Sequence, residues 1–146
     1  MKVEIKLSAD IKEPCAVIYS NEITPEVSRI ISLIEKDTDN SIITVADNER
    51  VMILRPNQIY MVRIEKEKTV VYSETKKYSS NKRLYEFETM LGAGFMRISK
   101  SVLVNLEYID CVEPSFGGMM LLVLKNGCKD YISRRYMPAF KKYIGI

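Results

Sequence analysis

Residues 95–105 read FMRISKSVLVN, and the character of this stretch changes halfway along. Its first half carries basic and hydroxyl side chains, namely Arg97, Ser99, Lys100 and Ser101. Its second half, residues 102–104, is wholly apolar. In an extended chain the polar groups of the first half would occupy both faces, which a strand in the core does not allow. The sequence therefore predicts a surface loop over residues 97–101, anchored by a strand over residues 102–106.

A second segment with the same mixture, ISRRYMPAFKKY, covers residues 132–143. Pro138 suits the first turn of a short helix, so residues 133–136 are predicted to form a loop from which Arg134 and Arg135 project. Arg and Lys neutralise phosphates or read guanine, and hydroxyl groups such as that of Ser133 hold phosphate oxygens. Each segment taken alone is equally consistent with a solvated surface. Together they suggest one basic recognition surface for DNA.

The charge of the chain is unevenly distributed. Residues 1–50 hold 6 Lys and Arg against 10 Asp and Glu, a net charge of −4. The remaining residues hold 16 against 9, a net charge of +7. This asymmetry indicates a polyanionic partner for the basic part, although chance clustering on a solvated surface would give the same counts.

The composition of the 146 residues is that of one globular domain, with or without a small appendage. No apolar run approaches the roughly 20 residues that span a membrane, and the N-terminus lacks the apolar region of a signal peptide, so a cytoplasmic location is expected. The chain has no histidine, which removes the commonest metal ligand and a frequent general base. The widely spaced Cys15, Cys111 and Cys128 are expected to be buried small hydrophobic residues. We therefore expect no metal, no cofactor, no small-molecule substrate and no catalytic activity.

Residues 1–40 are predicted to form a small ββα unit. Residues 2–7 alternate strictly between charged and apolar side chains, which favours a half-exposed strand, and residues 15–19 favour a more buried one. Thr24 is a suitable N-cap for a helix that starts at Pro25, and a polar stretch over residues 36–40 ends it. This acidic unit is too small to be stable alone, so it is interpreted as an appendage for dimerisation or for docking of a partner.

Residues 41–146 are predicted to be a second, mostly β domain. Short apolar or β-branched runs alternate with turn signals, and Asn126 with Gly127 forms a strong hairpin signal. The predicted strands are residues 42–46, 51–54, 59–64, 69–73, 102–106, 108–112, 119–124 and 128–132. A short helix capped by Ser79 or Ser80 is predicted to end at Gly92. The spacing indicates a sandwich or similar stack.

Two further basic positions have more than one interpretation. The turn over residues 65–68 carries Lys66 and Lys68, but its two glutamates weaken the field, which favours a solvated turn. Lys82 and Arg83 lie at the start of the predicted helix. They are equally consistent with contacts to a DNA backbone and with a solvated surface. No glycine-rich phosphate loop, G-x-S-x-G motif or metal-spaced cluster competes with the basic segments.

In order along the chain, FMRISKSVLVNLEYIDCVEP, the hairpin LKNG and ISRRYMPAFKK resemble the LytTR family of bacterial DNA-binding domains. The resemblance covers residues 41–146. It implies a mainly β fold, an elongated stack of small antiparallel sheets with short helices, here preceded by the ββα unit. It also implies binding of duplex DNA through loops, two of which enter successive major grooves while a third lies over the minor groove between them.

Carried over to this sequence, the resemblance implies base contacts from Lys100, beside Ser99, and from Arg135 in the C-terminal loop. A third base-reading position falls near Lys68 or Thr69. The other expected DNA-binding residues are Arg97, Ser101, Lys82, Ser133 and Arg134.

The sequence departs from the family at Lys100, where relatives often carry other polar residues, and at Arg63, where an acidic residue is common. The N-terminal unit is too short for the receiver domain that many relatives carry, so phosphorylation in cis is not expected. A regulatory partner, membrane-bound in some relatives, could dock there instead. The sequence thus predicts a transcriptional regulator that binds promoter direct repeats in double-stranded DNA as a homodimer. The alternative is a protein-interaction module whose basic face meets an acidic partner or membrane surface; a carboxylate-based hydrolase is more remote.

Overall fold

The computed structural model describes residues 1–38 and 42–146. The chain divides into two compact units, residues 1–39 and residues 40–146. The boundary predicted between residues 40 and 41 therefore lies outside the described residues, and each unit is described by itself.

The first unit contains one helix, α1 (Pro25–Thr38). Its N-cap is as predicted, because the Thr24 hydroxyl accepts a hydrogen bond from the Val27 N–H at 3.2 Å. The two predicted strands are wrong: residues 1–24 contain no strand. A strand is stabilised by the ladder and the apolar face that it shares with other strands, and a lone two-stranded hairpin is marginal in water. The alternation of residues 2–7 therefore reflects a strand propensity, but the described chain supplies no neighbouring strand with which these residues pair.

The second unit confirms the mainly β fold. Within residues 42–146 the strands are β1 (Ile43–Asp47), β2 (Arg50–Leu54), β3 (Met61–Glu65), β4 (Lys68–Tyr72), β5 (Lys77–Ser80), β6 (Phe95–Ser99), β7 (Val102–Asn105), β8 (Ile109–Pro114), β9 (Met120–Leu124) and β10 (Lys129–Ile132). They form an antiparallel seven-stranded sheet in the order β2-β1-β5-β4-β3-β7-β6 and an antiparallel three-stranded sheet in the order β10-β9-β8. Two short helices, α2 (Leu84–Leu91) and α3 (Met137–Ile144), complete the unit.

Two apolar clusters lie on opposite faces of the seven-stranded sheet. One joins α2 to the sheet, with Phe87 against residues such as Leu103. The other joins the opposite face to the three-stranded sheet and α3, with Phe140 among residues such as Val102 and Val104. Because successive side chains of a strand point to opposite faces, β7 is buried on both sides, which explains the apolar run over its residues 102–104.

Most strand predictions lie within two residues of the observed bounds, but β5 and β6 are missing from them. Ser79 and Ser80 lie in β5, so the predicted cap of α2 is wrong, and Arg83 occupies the N-cap instead. Gly92 is confirmed at the C-cap, where its φ of 70° favours glycine. The cysteines are also not as expected, because Cys15 and Cys111 are exposed and Cys128 is half-buried.

The predicted surface loop over residues 97–101 is wrong in its extent. Arg97 and Ser99 belong to β6, and only Lys100 and Ser101 form the turn. A bulge between Arg97 and Ser99 shifts the register against β7. Arg97 and Ser99 are half-exposed and Ile98 is fully buried, as the alternating sides of a strand require. The expectation of a loop rested on Lys100, which in a longer strand would share a face with Ile98. Lys100 instead lies in the turn beyond the end of β6.

Candidate nucleic-acid interface

Three loops meet at one end of the seven-stranded sheet. The register of β3 against β7 places the end of β3 beside the turn that joins β6 to β7, and the Ile64 N–H donates to the Ser101 carbonyl at 2.9 Å. The β3–β4 turn therefore adjoins the β6–β7 turn. The loop after β10 joins them, because the Ser133 N–H donates to the Ile98 carbonyl at 2.9 Å.

The start of α2 lies at the same end. The last residue of β5, Ser80, pairs with Thr69 at the beginning of β4, and the chain then continues through Lys82 into α2. All the predicted DNA-binding residues are therefore brought to this end, although they come from four segments of the sequence. They are Lys68, Thr69, Lys82, Arg97, Ser99, Lys100, Ser101, Ser133, Arg134 and Arg135.

The β6–β7 turn presents Lys100 to solvent on a braced backbone. The side chain of Lys100 is exposed, while its carbonyl accepts a hydrogen bond from the Arg97 guanidinium at 3.3 Å. Arg97 is itself held by Glu88 of α2, with 2.8 Å between its Nε and the carboxylate. The Ser101 N–H donates to the Ser99 hydroxyl at 3.2 Å. Arg97 and Ser99 thus fix the turn from which Lys100 projects.

The loop after β10 has two arginines in different roles. The Arg134 Nε donates to the Gly117 carbonyl at 2.6 Å, which ties the loop to the connection between β8 and β9. Arg135 is exposed, and its guanidinium carbon lies 5.7 Å from the centre of the Tyr136 ring. No hydrogen bond or ion pair of the Arg135 side chain is present in the described part of the chain. The loop itself is confirmed. Both arginines are exposed, but Arg134 is anchored to the Gly117 carbonyl through its Nε.

A groove of about 710 Å³ runs beside the β3–β4 turn and the start of α2. Its lining includes the basic residues Lys68, Lys82, Arg83 and Arg97. Thr69 also lines it but is buried, and its hydroxyl donates to the Lys82 carbonyl at 2.7 Å. Thr69 therefore positions the segment that carries Lys82, and little of its own surface is left for a ligand.

Arg63 fastens the two sheets together close to this end. Its guanidinium donates to Asp130 of β10 at 3.1 Å, to Glu65 at 2.7 Å and to the Tyr72 hydroxyl at 2.8 Å. Burial opposes the charge of Arg63, but these bonds outweigh it and raise the pKa of Arg63 above its ordinary value. Burial alone would raise the pKa of Glu65, yet the bonds from Tyr72 and Arg63 lower it. Arg63, at which the sequence departs from the family pattern, thus belongs to an ion-pair network that joins the two sheets.

Sequence reasoning gave Arg83 no settled role, although it lines the groove beside Lys82. Its neighbourhood depends on the pairing of β4 with β5, a strand that the sequence did not predict. The positive backbone angles of Lys66 and Glu67 were also missed, because neither residue is typical of such a conformation.

A family model described as the LytTr DNA-binding domain matches residues 49–145. The chain belongs to the LytTR family. A solved LytTr DNA-binding domain from Bacillus cereus is similar in fold, with a TM-score of 0.68 and 25% identity, and the match covers 73% of this chain and 99% of that one.

Two curated relatives carry regulatory names. An uncharacterized HTH-type transcriptional regulator of Staphylococcus aureus (strain NCTC 8325) is 26% identical, and the match covers 100% of this chain and 99% of that protein. The sensory transduction protein LytR of Staphylococcus haemolyticus is 27% identical, over 77% of this chain and 44% of that protein.

The LytTR chain has no pair of adjacent helices that could form a helix-turn-helix motif within its described residues. Such a motif joins two helices through a turn of three or four residues, whereas strands separate α1 from α2 and α2 from α3.

None of the described helices combines the length and the apolar composition needed to cross a membrane.

Proposed function

We propose that this LytTR protein is a transcriptional regulator that binds double-stranded DNA in a sequence-specific manner through the loops at one end of its seven-stranded sheet. The observation that carries this proposal is the convergence of the β3–β4 turn, the β6–β7 turn and the loop after β10. Loops rooted on paired strands are held in a defined geometry, which base recognition requires.

In this proposal the base-reading residues are Lys100 and Arg135. Both side chains are exposed at the tips of neighbouring loops, and both residue types recognise the acceptor edge of guanine in the major groove. The hydroxyl groups of Ser99, Ser101 and Ser133 lie beside them and suit phosphate oxygens.

The DNA backbone is proposed to lie along the groove beside α2. Lys68, Lys82 and Arg83 supply positive charge there. Thr69 and Arg97 are proposed to act through other groups, because they are bonded to the carbonyls of Lys82 and Lys100. Arg134 is proposed to hold the loop that carries Arg135, through its bond to the Gly117 carbonyl. Their loss would misplace those residues.

We further propose that two copies bind direct repeats at promoters in the cytoplasm, where bacterial DNA lies. A regulatory partner, membrane-bound or otherwise, is proposed to act through residues 1–40. The acidic balance of residues 1–50 keeps this region from competing for DNA, since like charges repel.

The test is selection of bound fragments from random duplex DNA, followed by titration with the selected and a scrambled duplex at fixed salt. A sequence-specific regulator should favour the selected duplex by roughly 10³-fold or more. Equal affinity for both duplexes would refute sequence-specific binding. Failure to bind any duplex, with retention of an acidic protein through the same face, would support the interaction-module alternative.

A further inference from the structure

Residues 2–7 form an exposed stretch with the alternation of a strand and no strand partner in the described chain. The side chains of Val3, Ile5 and Leu7 are 81%, 80% and 93% exposed. Soluble proteins rarely leave several apolar side chains of one strand-like stretch uncovered. The charges of Lys2, Glu4 and Lys6 on the other face restrict which second strand can pair with it.

We propose that residues 2–7 of two copies of this chain pair as antiparallel strands about a two-fold axis at Ile5. In this register Glu4 of one copy lies opposite Lys6 of the other, and the pair occurs twice by symmetry. Val3 lies opposite Leu7, also twice, and Ile5 lies opposite its own counterpart. Every charged pair is then complementary and every apolar residue has an apolar partner.

The other registers lack this complementarity. A shift of two residues that places Glu4 opposite Glu4 also sets Lys2 opposite Lys6, and directly opposed like charges destabilise a sheet. A shift of two residues the other way sets Lys6 opposite Lys6. Shifts by one residue place apolar residues opposite charged ones. In a parallel pair in register, each charged residue lies opposite the same residue of the other copy, so like charges face each other.

Apolar surface within the same unit can cover such a ribbon. A two-stranded ribbon alone is marginal, so the apolar face of the paired strands needs a covering layer. Helix α1 exposes apolar side chains at one helical turn's spacing, with Ile31 36% and Ile34 44% exposed. The pairing therefore gives both the strand and the helix of the acidic unit an apolar partner, and it does not depend on the proposed function.

The pairing predicts a charge-exchange experiment in the full-length chain. Glu4→Lys and Lys6→Glu should each weaken the dimer about tenfold or more, because each creates two like-charge pairs across the axis. The double variant Glu4→Lys/Lys6→Glu should restore the dissociation constant. Lys2→Glu is the matched control, since it makes the same charge change as Lys6→Glu but faces Ser8, and it should have little effect. Sedimentation velocity over a concentration series measures all four variants.

A cross-linking measurement tests the position of the axis. Ile5→Cys should form a disulfide between position 5 of both copies under mild oxidation, because directly opposed residues have Cα atoms about 4.5–5.5 Å apart. Lys2→Cys should not, since its counterpart lies far along the ribbon. A monomer at all concentrations, equal behaviour of the single and double charge variants, or a cross-link from position 5 to another site would overturn the proposal. DNA titration of the same variants separates this result from the proposed function. Absence of a dimer in the natural chain with intact DNA binding contradicts only the pairing, whereas a dimer that follows the charge pattern without DNA binding contradicts only the proposed function.

Discussion

Arg135 and Lys82 represent two kinds of basic residue at the candidate interface. Arg135→Ala should reduce the preference for the selected duplex over a scrambled one by about 1–3 kcal/mol, because the lost contact is to a base. Lys82→Ala should weaken both duplexes alike and reduce the slope of log affinity against log salt by about 1. Fluorescence anisotropy titrations at several salt concentrations measure both quantities. If Arg135→Ala weakened both duplexes equally, Arg135 would be a phosphate contact.

At the same scale, the sequence alone could not show which of the predicted DNA-binding side chains are held by bonds to other segments. Arg134 and Arg135 are adjacent and chemically identical, yet only Arg134 is bonded to the Gly117 carbonyl. Thr69 next to Lys68 is buried against the Lys82 carbonyl. Such differences depend on partners distant in sequence, which residue type and spacing do not report.

At the scale of elements, the β3–β4 turn combines a strained backbone with a place in the candidate interface. Lys66 and Glu67 have φ values of 48° and 66°, a conformation that hairpin turns usually assign to Asn-Gly. Lys66→Asn/Glu67→Gly should therefore raise the free energy of unfolding by about 1 kcal/mol. Lys66→Ala/Glu67→Ala removes the same side chains but retains the strain, so urea unfolding should show no gain. Equal stability of the two variants would contradict the strain argument.

The ion-pair network of Arg63 should make the junction of the two sheets sensitive to acid. The folded-state pKa of Glu65 lies below its unfolded value, so its stabilising effect is present above the unfolded pKa and is lost as the pH falls through the folded pKa. Glu65→Gln should be less stable than the natural chain by about 1 kcal/mol at pH 7, a figure that allows for the partial exposure of the pair. The difference should shrink at pH 3. Urea unfolding at both pH values measures the difference in free energy of unfolding. A difference that is the same at both pH values would show that titration of Glu65 does not contribute to stability.

Sequence periodicity predicted elements whose partners are close and regular, and it was wrong where the structure depends on an irregular pairing or on no pairing at all. The apolar residues of β7 have neighbours on both sides and were predicted well. Strand β6 contains a bulge, and β5 is short and carries few apolar residues, so neither shows the alternation that identifies a strand. Residues 2–7 show that alternation and form no strand.

At the scale of the whole molecule, both apolar clusters consist of residues between Ile43 and Phe140, so the second unit contains its own core. A fragment of residues 42–146 should therefore unfold cooperatively without residues 1–41. Its unfolding enthalpy should be near 0.7 kcal/mol per residue at about 60 °C, which corresponds to about 75 kcal/mol. Differential scanning calorimetry measures this enthalpy, and agreement between the calorimetric and van't Hoff values would establish a two-state transition. The full-length chain is the control and should melt within a few degrees of the fragment. A fragment without a cooperative transition would show that the first unit contributes to the core, contrary to the composition of the two clusters.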